Sequence, residues 1–327
     1  MLEHGGRLLH ASQQYGIALA DWLDLSTGIN PQGWPVPELP AAVWSRLPEA
    51  ADGLVSAARD YYGAAHVLPL AGSQAAIQAL PHLRRRGRVG VLSPGYAEHA
   101  HAWRQAGHNV VPLKAETLSR ELGPFDAAVL IQPNNPTGTR FSKEVVLDWH
   151  ATLAGRGGWL VVDEAFIDAT PADSLAPFTD RPGLIVLRSL GKFFGLAGAR
   201  VGFALAQPDL LQGLAEHLGP WAVAGPSRYV AEQALRDTAW QASARAQVQA
   251  AGLRLAELLR RHGLAPDGGC ALFQWLRHES AADLHKQLAR RGILTRYFDE
   301  PASLRLGLPG SEADWSRLDA ALAELQA

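Results

Sequence analysis

The stretch VLRSLGKFFGLAGARVGF, residues 186–203, decides how the rest of the chain is interpreted. It continues a short apolar strand over 184–187 and presents Ser189, Lys192 and Arg200 among four glycines. Burial among phenylalanines disfavours the ammonium form, which makes a lysine an amine nucleophile able to form a Schiff base. Ser189 and Arg200 offer a hydroxyl and a fork of donors, which suit a phosphate. A loop with one snorkelling lysine and one surface arginine is the alternative at this point.

Two further motifs precede this stretch. The apolar run AAVLI, residues 127–131, predicts a buried strand that leads into QPNNPTG, residues 132–138. A second strand, residues 159–162, ends in DEAF, residues 163–166. Together with SxGK and GxR, and in this order, these motifs resemble the fold-type I enzymes that use pyridoxal 5'-phosphate (PLP). Within that group the chain is similar to histidinol-phosphate aminotransferases and threonine-phosphate decarboxylases, over essentially its whole length.

Composition limits the class of protein. The chain has 327 residues, of which 47% are hydrophobic and 19% charged, enough for a large domain plus a smaller one. The net charge of -2 indicates neither nucleic acid nor an anionic membrane as a partner. The single cysteine, Cys270, excludes an intramolecular disulfide and is interpreted as a packing residue. No signal peptide, membrane span or metal site is predicted, so we expect a soluble cytoplasmic protein.

The order of elements predicts an α/β fold. Short apolar runs alternate with helices, which is typical of a mostly parallel central sheet. We predict an N-terminal arm over 1–44, a large PLP-binding domain over 45–225 and a smaller C-terminal α/β domain over 226–327. One helical stretch over about 227–261 and a strand over 293–296 are expected in the last part. Ligands of such sheets bind at the carboxyl ends of strands, where the motifs lie.

The N-terminal arm contains two glycine-bearing segments. HGGR begins at His4 and Gly5, and DLSTGINP places Gly28 in a polar turn whose backbone N–H groups could face a ligand. A plain connecting turn is the alternative. Both segments resemble those of threonine-phosphate decarboxylases, where they help to bind substrate. Many of those enzymes have asparagine where Gly28 stands, so a contact here would come from the backbone.

Two turns after strands are candidate cofactor contacts. Gly72, Ser73 and Gln74 open a helix after an apolar strand, a pattern that favours an anion, although Ser73 could equally be a helix N-cap. Tyr96 follows a later strand and could stack on a planar ring or act as a hydrophobic anchor. The resemblance implies that the first turn holds the PLP phosphate and that Tyr96 lies against the pyridine ring.

The resemblance also assigns roles within the three motifs. It implies that Asp163 faces the pyridine nitrogen, and that Asn135 donates to the phenolate oxygen and lies near the substrate. Lys192 would carry the cofactor and later donate a proton, and Ser189 and Arg200 would join Ser73 at the phosphate.

Two arginines in apolar strands need anionic partners, which could be an internal carboxylate. The resemblance implies instead that Arg305 binds the substrate carboxylate and that Arg296 approaches its distal phosphate.

Two residues depart from the relatives' pattern. Phe166 stands where many relatives have a tyrosine that bonds the phenolate oxygen of the cofactor, so that bond is in doubt here. Leu47 stands where relatives often have a tyrosine that reaches the cofactor phosphate of the neighbouring subunit, so that contact across a dimer is also in doubt.

The reaction follows from the resemblance and not from the residues alone. The HGG arm, the STGINP turn and the short chain favour decarboxylation of L-threonine O-3-phosphate to (R)-1-amino-2-propanol O-2-phosphate, a step in cobalamin biosynthesis. A histidinol-phosphate aminotransferase is the close alternative, and a PLP-fold binding module without catalysis is a remote one. Fold-type I sites usually form at a dimer interface, so a homodimer is expected.

Overall fold

A computed structural model of the chain describes residues 4–118 and 122–325. The chain divides into two compact units. Among the described residues, unit 1 takes those within 1–33, 136–138 and 244–327, and unit 2 those within 34–135 and 139–243. Residues 226–243 therefore group with the larger unit, whereas the sequence boundary was expected at 226. The three-part functional division of the chain stays a prediction.

Unit 2 is built on a sheet in which seven strands of the described chain pair in the order β2-β8-β7-β6-β5-β3-β4. The strands are β2 (Val67–Leu70), β3 (Arg88–Leu92), β4 (Asn109–Leu113), β5 (Ala127–Ile131), β6 (Trp159–Asp163), β7 (Leu184–Ser189) and β8 (Gly202–Leu205). β8 runs antiparallel to both of its neighbours, and the other pairs are parallel. The predicted mostly parallel α/β sheet is confirmed.

The helices of unit 2 follow the strands in chain order. They are α2 (Ala42–Ser45), α3 (Leu54–Tyr62), α4 (Ser73–Ala79), α5 (Ala97–Gln105), α6 (Lys143–Ala154), α7 (Pro208–Leu218) and α8 (Gly225–Arg236). Every residue of β5 is buried, as expected for a central parallel strand covered on both faces. Apolar side chains of β5, β6 and β7 pack with Ile77, Leu80 and Trp103 in one core cluster. This core holds the strand ends, and the motifs that follow them, in place.

Unit 1 contains α1 (Leu8–Tyr15), β1 (Leu23–Asp24) and the C-terminal elements. Four strands pair in the order β12-β13-β10-β9, namely β9 (Gly268–Cys270), β10 (Phe273–Arg277), β12 (Arg296–Phe298) and β13 (Ser303–Gly307). β1 pairs in parallel with β11 (Ile293–Leu294). The remaining helices are α9 (Thr238–Arg261), whose residues 238–243 belong to unit 2, α10 (Ala281–Arg290) and α11 (Glu312–Glu324).

Two predicted elements are each divided in two. The expected helix over 227–261 is interrupted at Asp237, which leaves helical geometry with ψ 76° and accepts a hydrogen bond from the Trp240 backbone at 2.9 Å. An aspartate that caps a new helix explains the break. The expected strand over 293–296 is β11 and β12, which pair with different partners. In the described part of the chain no helix is long and apolar enough to cross a membrane.

Candidate active site

Three neighbouring parallel strands bring the motif residues of unit 2 to one edge of the sheet. Asp163, the last residue of β6, pairs in register with Ile131 of β5 and Leu187 of β7. Asn135 follows the end of β5 by four positions, and Lys192 follows β7 by three. Because parallel strands end on the same side, these side chains belong to loops at one edge.

The antiparallel strand β8 adds a fourth loop to this edge. Its first residue, Gly202, pairs with Leu70 of β2 and with Ser189 of β7. A Cβ atom at Gly202 would collide with the Ser73 backbone nitrogen, so the two backbones touch here. Glycine is required at this position because any side chain would push β8 away from the turn that begins at Ser73.

Gly72 and Arg200 lie close together in an arrangement that suits an anion. Gly72 has φ +76°, and a Cβ atom there would lie 2.7 Å from Arg200 Nη2. Arg200 itself has φ 53°, and its Nη1 donates to the Ala197 carbonyl at 3.2 Å. A guanidinium beside an open backbone turn, with the Ser189 hydroxyl at the end of the adjacent strand, matches what a phosphate group needs. The residues present therefore fit the phosphate of PLP.

The Asp163 carboxylate is oriented by two donors. The backbone N–H of Ala165 donates to Oδ1 at 3.0 Å, and His99 Nε2 lies 2.9 Å from Oδ2. Both side chains are buried, at 1% exposure for His99 and 5% for Asp163. A carboxylate held this firmly at the strand edge suits a cationic partner such as a protonated ring nitrogen. His99 was not predicted, although it follows Tyr96 by three residues and its ring packs edge-on against the Tyr96 ring, with centroids 6.1 Å apart.

Tyr96 belongs to a hydrogen-bonded group with Gln74 and Glu98. Its hydroxyl donates to Gln74 Oε1 at 3.2 Å, and Gln74 Nε2 donates to Glu98 Oε2 at 3.0 Å. Burial raises the pKa of Tyr96 to about 12, with help from Glu98 and Asp163, against the opposing charge of Arg200. Tyr96 is therefore neutral at physiological pH. The Gln74 side chain is directed at Tyr96 and Glu98, so a cofactor contact by Gln74 would come from its backbone.

Lys192 lies against aromatic side chains. Its Nζ is 5.5 Å from the ring centroid of Phe166, which is 3% exposed. Phe193 and Phe194 are fully buried, and both pack on Trp240 with ring centroids 5.4 Å apart. The apolar setting expected for a reactive lysine is present in unit 2.

The two asparagines of the PNNPTG motif differ in setting. Asn134 is buried, and its Nδ2 donates to the Pro94 carbonyl at 2.9 Å, which ties this loop to the turn that precedes Tyr96. The Asn134 backbone N–H donates to the Thr139 carbonyl at 2.9 Å. Asn135 is half-buried beside this fixed turn. The motif thus places Asn135 by anchoring its neighbour.

A buried ionic network lies directly after Asp163 and was missed from sequence. Arg188 Nη1 is 3.0 Å from Glu164 Oε2, and Nη2 binds Asp168 Oδ1. The Tyr61 hydroxyl donates to the same Asp168 oxygen at 3.0 Å. Burial raises the pKa of Glu164, whereas the two carboxylates outweigh burial and raise the pKa of Arg188. The network fixes the turn that carries Phe166.

Unit 1 gathers most of its predicted substrate residues around Ser26. Gly6 N–H donates to Ser26 Oγ at 2.7 Å, and the neighbouring Gly5 lies so close that a Cβ would collide with the Ser26 carbonyl. Arg305 Nη2 donates to that carbonyl at 2.8 Å. The HGG segment, the STG turn and Arg305 therefore converge. Gly28 is buried in the same turn as Ser26, whereas His4, at the start of the HGG segment, is exposed.

Arg296 and Arg305 are direct partners in the antiparallel pair of β12 and β13. Burial lowers the pKa of Arg305 to about 10, and the positive charge of Arg296 adds to this effect. Two like charges opposite each other on a ladder are unfavourable. An anionic ligand would relieve this repulsion, so the pair has the chemistry of a site for carboxylate or phosphate.

Comparison with known proteins is consistent with this chemistry. The family model for aminotransferase class I and II matches residues 46–322. A threonine-phosphate decarboxylase of Pseudomonas aeruginosa is 63% identical over 322 residues, which is 98% of this chain and 97% of that protein. A threonine-phosphate decarboxylase of a Sinorhizobium species is 41% identical over 331 residues, which is 99% of this chain and 98% of that one.

Solved structures share the fold. The histidinol-phosphate aminotransferase of Clostridium acetobutylicum superposes with a TM-score of 0.81 at 20% sequence identity, covering 93% of this chain and 99% of that one. At this identity the similarity establishes the architecture alone.

Proposed function

The chain belongs to the class I and II aminotransferase family, and we propose that it decarboxylates L-threonine O-3-phosphate with PLP as cofactor. The observation that carries the proposal is the 63% identity to a threonine-phosphate decarboxylase over 98% of the chain. The phosphate cradle at Gly72 and Arg200, the oriented Asp163 and the aromatic setting of Lys192 support PLP as the cofactor.

PLP, when bound, supplies an electron sink for the pair released as a bond to the substrate Cα breaks. Asp163, held by His99 and Ala165, would keep a proton on the ring nitrogen. Gly72, Ser73, Ser189 and Arg200 would bind the cofactor phosphate, and the Tyr96 ring would lie against the pyridine. Asn135 would donate to the phenolate oxygen. Phe166 has no hydroxyl to add to that contact, so Asn135 would be the main partner of that oxygen.

Lys192 has two tasks in the proposed reaction. Its Nζ would hold the cofactor in the resting enzyme, and the substrate amine would take that place. When carbon dioxide leaves, the electron pair of the broken bond stays at Cα, and Lys192 in its ammonium form would deliver a proton to that carbon. The apolar surroundings of the amine lower the cost of its neutral form, which the first task requires.

The arginines of unit 1 bind the anionic groups of the substrate in this proposal. Arg305 holds the α-carboxylate and Arg296 approaches the distal phosphate, while His4, Gly5 and Gly28 complete the substrate contacts through the turn at Ser26. The hydrogen bond from Arg305 to the Ser26 carbonyl supports this assignment, because it joins the two substrate segments to the arginine.

We propose a homodimer as the working form. Large apolar side chains in unit 2 are exposed, with Trp44 at 68%, Leu47 at 65% and Trp221 at 59%. α2, which contains Trp44, packs on α8, and Gly225 at the start of α8 lies against the Val43 carbonyl. The region of Trp44 is therefore next to the helix that follows Trp221. A second copy covering this surface would remove it from water. Light scattering of the wild type should give a molecular mass of two chains. Trp44→Arg should lower the measured mass toward that of one chain.

The deciding assay supplies the PLP-loaded protein with L-threonine O-3-phosphate and no oxo acid. Carbon dioxide release over many turnovers is the expected result. Glutamate formation from histidinol phosphate and 2-oxoglutarate without such release would make the protein an aminotransferase, and no turnover with either pair would make it a binding protein. A strain that lacks its own decarboxylase should regain cobalamin synthesis with this chain, which tests the proposed pathway.

The cytoplasmic location stays a prediction.

A further inference from the structure

We propose that Glu98 is a positioning residue for Tyr96 and acts through the side-chain amide of Gln74. The proposal rests on the proposed function, since it concerns the ring that stacks on the cofactor. Glu98 would then set PLP affinity without touching the cofactor itself.

The geometry is a chain of three side chains. Gln74 lies in the first turn of α4, Tyr96 is the residue before α5, and Glu98 lies in the first turn of α5. Glu98 Oε2 accepts from Gln74 Nε2 at 3.0 Å and from Gln78 Nε2, one turn further along α4, at 3.2 Å. Glu98 therefore fastens two successive turns of α4 to the start of α5.

The direction of each hydrogen bond follows from the chemistry of the groups. An ionised carboxylate can only accept, so Glu98 selects the NH₂ end of the Gln74 amide. The carbonyl end, Oε1, is thereby turned to Tyr96, whose hydroxyl must donate to it at 3.2 Å. A reversed amide would place its oxygen against the carboxylate, which is repulsive. Glu98 thus determines that the Tyr96 hydroxyl donates its hydrogen bond to Gln74.

The consequence for Tyr96 is a fixed ring and a neutral hydroxyl. The titratable groups that influence it are Glu98 and Asp163, which favour the neutral form, and Arg200, which opposes them, while the His99 ring packs edge-on at 6.1 Å. A ring held at its hydroxyl end loses little freedom when a planar ligand stacks on it, which favours binding. Without the Glu98 carboxylate the Gln74 amide loses the acceptor that selects its orientation, and its hydrogen bond with the Tyr96 hydroxyl is weakened.

The test compares Glu98→Gln with Gln78→Leu in two backgrounds, wild type and Tyr96→Phe. PLP affinity of the apo protein is measured by equilibrium dialysis, and tyrosine ionisation by absorbance, with Tyr96 assigned by difference from Tyr96→Phe. Glu98→Gln should weaken PLP binding about five- to tenfold and lower the pKa of Tyr96 from about 12 toward its ordinary value. Gln78→Leu, which leaves the Gln74–Glu98 contact in place, should change affinity less than about twofold.

The two backgrounds separate positioning from a general structural role. In Tyr96→Phe, Glu98→Gln should add less than about a twofold loss, because the hydroxyl it acts on is gone. An equal loss in both backgrounds, or unchanged PLP affinity in Glu98→Gln, would overturn the proposal. A wild-type protein that binds PLP but releases no carbon dioxide would refute the decarboxylase assignment and leave this affinity test intact.

Discussion

The imidazole Nε2 of His99 lies 2.9 Å from the carboxylate Oδ2 of Asp163, and both side chains are buried. The hydrogen bond spans 64 positions of the chain and joins α5 to the end of β6. In the proposed mechanism it aims the carboxylate at the cofactor ring. His99 would then act through Asp163 and have no contact with the reacting atoms.

His99→Ala should lower kcat/KM about 10- to 100-fold while PLP remains bound, because a buried hydrogen bond to a charged group is lost. Asp163→Asn should be more damaging, since the amide cannot hold the proton on the ring nitrogen. The double variant should be no worse than Asp163→Asn, because the histidine has lost the charge it orients. Strictly additive losses would show that His99 has a separate role.

Lys192→Ala should reduce turnover about a thousandfold or more, because both the covalent carrier and the proton donor disappear. Borohydride reduction followed by mass spectrometry should find PLP attached to the wild type and not to the variant. Lys143 offers a matched control, as its Nζ donates to the Ala172 carbonyl at 2.7 Å on the surface of unit 2. Retained turnover in Lys192→Ala would exclude the proposed mechanism.

Arg305→Lys should lower kcat/KM for L-threonine O-3-phosphate about 10- to 100-fold, because an ammonium cannot replace the planar fork of donors at a buried site. Arg277→Lys, on the neighbouring strand, is the control, since Arg277 is exposed and pairs with Asp267. Inorganic phosphate should raise the melting temperature of the wild type more than that of Arg305→Lys. Equal shifts in the two proteins would argue against an anion site at Arg296 and Arg305.

The sequence predicts those site residues whose chemistry can be inferred from a local motif. Lys192, Asp163 and Arg200 follow strand ends in recognisable stretches, and the predicted sheet puts those ends on one edge. His99, Glu98 and Arg188 were missed because their meaning depends on partners far along the chain. In the sequence Arg188 is a single charged residue in an apolar strand, and only the structure shows that Glu164 and Asp168 are its partners. The break at Asp237 was missed because helical periodicity continues on both sides of it.

Arg188→Met should lower the free energy of unfolding by about 3–5 kcal/mol, because Glu164 and Asp168 would remain buried without their cation. Arg140→Met removes an arginine from a more exposed pair, 3.3 Å from Asp173, and should cost no more than about 1 kcal/mol. Urea denaturation of both variants measures the difference. Similar midpoints for the two would mean that the buried network contributes little to stability.

Asp52 provides a pH-dependent link between α8 and the segment before α3. Arg228 donates to it from Nε at 2.5 Å and from Nη2 at 2.8 Å, and the Leu54 N–H donates at 3.2 Å. Burial acts to raise the pKa of Asp52, but these donors outweigh it and lower the pKa below its ordinary value of 3.8. The unfolded chain therefore takes up this proton first on acidification.

The contribution of Asp52 to stability should accordingly be complete above pH 3.8 and disappear as the pH falls through its lower value in the folded state. Wild type should be more stable than Asp52→Asn at neutral pH, and the difference should shrink as the pH falls below 3.8. Urea titrations at several pH values measure it, with Asp60→Asn on α3 as the control for loss of a surface charge. A difference that grows in acid would contradict the assigned direction, because it would require the folded state to bind the proton more tightly than the unfolded chain.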